Sequence, residues 1–148
     1  MANHYQNIVV AVDGSKQAEL AFHKSIDVAK RNVGSTLHII HVIDTSIATT
    51  LDLLYDNMVE LVHKHGEVLL DSYKLQANEA GIENVNTILT KGVPKTILSK
   101  RLSEIVKADL IICGPTGLNT VEQIFIGSNT DAILRHAKCD VLIVRTPK

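Results

Sequence analysis

The segment Gly114-Pro115-Thr116-Gly117, followed by nine residues and then Gly127-Ser128-Asn129-Thr130, gathers the residue types that hold a phosphate without charge. Gly114 and Gly117 carry no Cβ, so backbone there can come close to a ligand. Gly127 suits a turn that aims successive N–H groups at an anion. Ser128 and Thr130 add hydroxyl donors, and Asn129 adds an amide. A helix starting at this point brings the positive end of its dipole to the same spot. Taken singly, the glycines make an ordinary turn and Ser128 an ordinary helix cap. Taken together, after one apolar run and before a helix, they point to a phosphate site.

Asp13, in Asp13-Gly14-Ser15, supplies a carboxylate at the end of another apolar run. Two roles stay open: capping, by Asp13 or Ser15, of the helix that begins near Lys16, and the holding by Asp13 of a hydrated Mg²⁺ against phosphates across a crevice from Gly114. Between Gly114 and Thr130 there is no Lys or Arg, and Glu122 is the single charged residue. Rapid phosphoryl transfer needs cations at the developing charge, so this segment suits holding a phosphate better than cleaving it. The GxxxxGK[ST] and GxSxG patterns are absent. Lys16 reads as a solvated helix residue. Arg135 lies about two turns down its helix, roughly 10 Å from the start.

Other reactive residues point to structural roles. His63 and His65, two apart on a helix, fall on different sides, and His38 and His41, three apart on a strand, face opposite ways. These read as core or surface histidines. Cys113 and Cys139 form no CxxC pair and read as reduced packing thiols.

The elements that must position these residues follow from apolar patterning. Runs at Ile8–Val12, Leu37–Ile43, Val85–Leu89, Leu110–Cys113 and Val141–Val144 are short and rich in β-branched residues. Such runs suit strands buried on both faces of a parallel sheet. Between them, Ala18, Ala21, Phe22, Ile26 and Ala29 recur at helical spacing. Pro94 opens a helix with a stripe of Ile97, Leu98, Leu102, Ile105 and Val106, and a further helix starts near Ser128. The connection Thr45–Glu79 exceeds a simple crossover: its second half reads as a helix, and Thr45–Asp56 as a loop or short helix. The expectation is one domain over residues 1–148, a five-stranded parallel α/β sheet with helices on both faces.

Bulk composition narrows the partners. A net charge of -1, with 21% charged and 3% aromatic residues, gives no electrostatic or stacking reason to expect nucleic acid or an anionic membrane. No apolar run approaches the ~20 residues needed to span a bilayer. Met1–Gln6 is polar, and a cytoplasmic location is expected.

Gly114-x2-Gly117-x9-Gly127-Ser128 resembles the nucleotide signature of ATP-binding universal stress proteins. The opening Ile8–Ser15 and the ending Arg135–Val144 are similar to that family's first strand and loop and its last helix and strand. The resemblance covers essentially the whole chain. It implies a Rossmann-like sheet of order 3-2-1-4-5, as in adenine nucleotide alpha hydrolases, with strands 1 and 4 at the switch point. Ala11, Asp13 and Val42 would line the adenosine side, with Val42 against the adenine. Gly114, Gly117, Gly127, Ser128, Asn129 and Thr130 would hold ribose and phosphates, and Asp13 would reach Mg²⁺ through water. The ligand implied is ATP, or AMP or another adenine nucleotide. Pairing of the last strand, Val141–Val144, with its two-fold mate would give a homodimer, and an exposed apolar edge independently invites such pairing. Thr116 stands where the family often has His or Arg, and Asn129 where a small apolar residue is common. Neither removes a backbone donor. The function implied is a nucleotide-dependent regulator in stress response, with a slow ATPase or a dimeric scaffold without nucleotide as alternatives.

Overall fold

Unbroken runs of valine and isoleucine favour extended backbone, but a strand apolar on both sides needs cover on both faces. A computed structural model describes residues 4–45, 56–115 and 127–145. Five strands form: β1 (Asn7–Ala11), β2 (Thr36–Asp44), β3 (Val85–Gly92), β4 (Leu110–Cys113) and β5 (Asp140–Ile143). All pair in parallel, in the order β3-β2-β1-β4-β5, as the resemblance implied.

Four helical segments connect them among the described residues. They are α1 (Lys16–Arg31), α2 (Asp56–Glu79), α3 (residues 94–105) and α4 (Ser128–His136). Period-two alternation sends neighbouring strand residues to opposite cores. Ile8 and Val10 pack with Phe22 and Ile26 of α1 and Leu70 and Tyr73 of α2. Val9, between them, packs with Leu98 and Leu102 of α3 and Ile133 of α4. Phe22 and Tyr73 meet edge to face at 4.7 Å between ring centroids, joining α1 to α2. Each large side chain so buried contributes about 1.5–3 kcal/mol before conformational entropy is subtracted.

The chain steps from β1 to β2 to β3 in one direction, then crosses back to β4 and β5. Crossovers of one hand therefore lay α1 and α2 on one face and α3 and α4 on the other. Between β1 and β4 the connections leave in opposite directions, which opens a crevice at the carboxyl ends. At the other end, Asp109 accepts from the N–H groups of Gln6 and Asn7 at 2.8 and 3.0 Å, fixing β4 against β1.

α2 covers Asp56–Glu79, as the pattern after Asp56 predicts; residues 46–55 of that connection lie outside the described residues. One helix differs from the sequence expectation. α3 is not a regular α-helix: Pro94–Thr96 and Leu102–Ile105 flank a π-helical turn, Ile97–Arg101. The wider turn shifts the buried stripe, so Ser99 is buried while Ile105 is 40% exposed.

His38 and His41 do take opposite faces. His38 is buried in a cross-strand polar row, with Nε2 3.0 Å from Asn7 Oδ1 and Nδ1 3.0 Å from Asn86 Nδ2. The amide oxygen accepts and the amide nitrogen donates, so the row fits a neutral ring protonated at Nε2. Burial pushes the His38 pKa below the ordinary value, against a weaker opposing effect of Asp109. Below about pH 6.5 the unfolded chain therefore takes up a proton that the native ring resists. Stability is expected to fall as pH drops through that window. Urea unfolding from pH 7 to 5 should show a flatter decline for His38→Gln than for the wild type; parallel slopes would assign the acid sensitivity elsewhere.

Candidate functional site

The crevice at the switch point is an open cleft at the carboxyl ends of the central strands. β1 and its loop contribute Ala11, Val12 and Asp13, and β2 contributes Ile40 and Val42. Cys113 and Gly114 end β4 in the same cleft, and Asn129, Thr130 and Ile133 enter from α4. Its enclosed part is about 120 Å³, and beyond that it opens to solvent. Of the residues named from sequence, Ala11, Asp13, Val42, Gly114, Asn129 and Thr130 thus meet at one place. Gly117, Thr116 and Glu122 lie outside the described residues.

Asp13 is held by its own turn. Its Oδ1 accepts from Ser15 N–H at 2.9 Å, and Gly14 takes φ +83°, which favours glycine. Ser15, not Asp13, caps α1, its Oγ accepting from Ala18 N–H at 3.1 Å. Asp13 Oδ2 makes no hydrogen bond among the described residues. One of the two roles left open by sequence is thus filled by Ser15, and the carboxylate remains directed at the cleft.

Three of the expected phosphate contacts are put to different use. A Cβ on Gly114 would lie 3.0 Å from Gln17 Cβ and 3.2 Å from Gln17 O, so the missing side chain admits the first turn of α1. Thr130 Oγ1 donates to Gly114 O at 2.9 Å, a buried bond that ties α4 to the end of β4. Gly127 is the N-cap of α4 at φ −66°, a conformation open to any residue, and its N–H donates to Pro115 O at 2.8 Å. Ser128 is the first helical residue rather than the cap. Among the described residues no side chain caps α4, and none accepts from the first-turn N–H groups of Ser128, Asn129 and Thr130. The backbone donor set therefore begins one residue later than Gly127.

The cleft has a carboxylate on one side and a positive helix end on the other. No Lys or Arg lines it among the described residues. Arg135 is drawn to Asp131, with Nε 2.9 Å from Oδ2, on the exposed side of α4. Burial pushes the Cys113 thiol up to about 12, against a weaker opposing effect of its hydrogen bond with Thr130. It is a packing group and not a nucleophile at neutral pH. Among the described residues no cluster of three His, Cys, Asp or Glu could cage a metal. A cation beside Asp13 would need its other ligands from water or a bound anion.

α3 adds a wall that the sequence pattern did not reveal: Pro94 and Leu98 line the cleft together with Val42. Pro94 follows the carboxyl end of β3, a place that the strand order assigns to the cleft side. The order, rather than any motif, was the available signal.

The family model described as Universal stress protein family matches residues 4–145. The chain belongs to the universal stress protein family. It is 49% identical over 143 residues to a putative universal stress protein of Staphylococcus epidermidis, spanning 96% of this chain and 85% of that one. Universal stress protein UspA of Lactobacillus plantarum superposes with a TM-score of 0.85 at 27% identity, covering 96% of this chain and 99% of that one. A universal stress protein solved in complex with cAMP matches at TM-score 0.69 and 26% identity, covering 98% of this chain and 100% of that one. Among the described residues no helix is long and apolar enough to cross a membrane.

Within this universal stress protein fold, Gly114→Ala tests the packing role of that glycine. The new methyl meets backbone of Gln17 that cannot swing aside. A loss of about 1–3 kcal/mol is expected in denaturant unfolding; an unchanged midpoint would show that α1 has room to move.

Proposed function

We propose that this protein holds an adenine nucleotide, ATP in the first instance, together with Mg²⁺ in the cleft between β1 and β4. The observation that carries this is the pairing of the Asp13 carboxylate with the uncapped N-terminus of α4 across an apolar-walled cleft. Ile40, Val42, Pro94 and Leu98 offer a flat apolar wall for a base. The first-turn N–H groups of α4 offer donors for phosphate oxygens. Asp13 would repel a bare phosphate, and a hydrated cation between them turns that repulsion into attraction. Mg²⁺, when bound there, supplies charge neutralisation of the phosphates.

Ala11, Asp13 and Val42 form the adenosine side in this reading. Ser128, Asn129 and Thr130 hold phosphates chiefly through backbone N–H, with Gly114 and Gly127 at the described ends of the β4–α4 connection. The relative bound to cAMP favours adenine as the base and leaves AMP-like ligands as the competing occupant. The lack of Lys and Arg in the described lining favours holding over hydrolysis, with at most slow ATP turnover. The protein is then a cytoplasmic nucleotide-dependent regulator of a stress response, whose partner reads occupancy.

Calorimetric titration of ATP with Mg²⁺ tests the site. Val42→Trp, which fills the base wall, should abolish binding. Asp13→Asn should weaken Mg-ATP about tenfold and leave metal-free AMP within about twofold, as expected for loss of one charge-assisted contact. Absence of wild-type binding at millimolar ATP would sink the nucleotide reading in favour of a scaffold.

The same proposal includes a homodimer through β5. This strand ends the sheet and pairs on one side with β4. Val144 N–H donates inward to Cys113 O, so by alternation the N–H of Ile143 points outward. Ile143→Pro removes that outward donor and should convert a dimer to a folded monomer in light scattering. A dimer that persists would place the interface on another surface.

A further inference from the structure

The carbonyl that precedes Asp13 is gripped from β2. His41 Nδ1 lies 2.8 Å from Val12 O, while Val12 N–H donates to Ile40 O at 2.9 Å. A carbonyl only accepts, so Nδ1 carries the proton in this contact. The peptide units on both sides of Val12 are thereby fixed, and Asp13 leaves the second of them. Val42 lines the cleft and His41 points to the other sheet face, where α2 lies. His41 therefore touches Val12 and not the cleft.

α2 sits on this ring by way of a glycine. A Cβ on Gly66 would lie 3.3 Å from His41 Cδ2 and 2.8 Å from Leu89 Cδ1. Glycine inside a helix costs about 1 kcal/mol relative to alanine, so its presence in mid-α2 matches a demand for close approach. Three residues further along the same helix, Leu69 Cδ1 lies 3.8 Å from where a Cβ of Gly14 would be. α2 thus approaches the Asp13 loop at two places: through His41 to Val12, and with Leu69 lying over Gly14.

We propose that His41 is a positioning residue for the nucleotide site and couples it to α2. Its Nδ1–H holds the Val12–Asp13 peptide, and the Gly66 slot seats α2 on the same ring, so that a ligand bound at Asp13 also steadies α2. This rests on the nucleotide reading above, but the hold on the loop exists without ligand and can be measured separately.

The test combines hydrogen exchange by mass spectrometry with Mg-ATP calorimetry on the full chain. Without nucleotide, His41→Leu should speed exchange in peptides covering residues 12–18. Mg-ATP should slow exchange over residues 60–70 in the wild type but not in His41→Leu. The variant should also bind Mg-ATP about fivefold to tenfold more weakly, the loss expected of one net hydrogen bond. His41→Asn, whose amide nitrogen stands close to the place of Nδ1, should restore loop protection and affinity. Gly66→Ala keeps His41 and crowds its ring; it should lose the protection of residues 60–70 and covers the case in which His41→Leu does not fold. Wild-type exchange and affinity in His41→Leu, or failure of His41→Asn to rescue, would overturn the proposal. If wild type binds no Mg-ATP, the nucleotide reading fails. Exchange at residues 12–18 without ligand then decides whether His41 holds the loop.

Discussion

Parallel strands cannot be joined by tight turns, so each pair needs a crossover, and crossovers overwhelmingly take one hand. In this chain the direction of travel reverses once, between β3 and β4. That reversal separates α1 and α2 from α3 and α4 and leaves β1 beside β4 with their loops diverging. The cleft is a consequence of this arrangement. Residues as far apart in sequence as Asp13 and Asn129 share it because connectivity leaves that gap uncovered.

The cleft's chemistry follows from what lines it. A helix end without a side-chain cap leaves first-turn N–H groups in need of acceptors, and an anion is a natural one. A carboxylate at the opposite side would oppose that anion unless a cation stands between them. These two features together suit a metal-complexed phosphate better than either a free anion or a free metal. The apolar walls from β2 and α3 are what the proposed nucleotide base would rest on. Among the described residues no Lys or Arg lines the cleft, so the cationic side chains that speed phosphoryl transfer are not supplied by them.

Glycine and hydroxyl residues show how far a motif can be trusted. Their spacing drew attention to the segment between β4 and α4, and the described ends of that segment do lie at the cleft. Their individual uses were different: Gly114 admits Gln17, and Thr130 bonds to Gly114 O. A motif records that a backbone must come close to something. It does not record whether that something is a ligand or a neighbouring helix.

Local pattern was sufficient for much of the fold. Apolar runs marked five parallel strands, of which the edge strands β3 and β5 are only partly buried, and Ser15 and Pro94 marked helix starts. These features depend on residues a few positions apart, where period and capping rules act. Strand order came from family resemblance, because nothing within a strand names its neighbour. Tertiary structure alone decided that α3 holds a π-helical turn, and that His41 sits beneath Gly66 with its ring on Val12. In the last case the partners lie on different elements and meet through packing. Hydrogen bonds and close contacts of that kind are selected by the assembled core, and no periodicity in the chain records them.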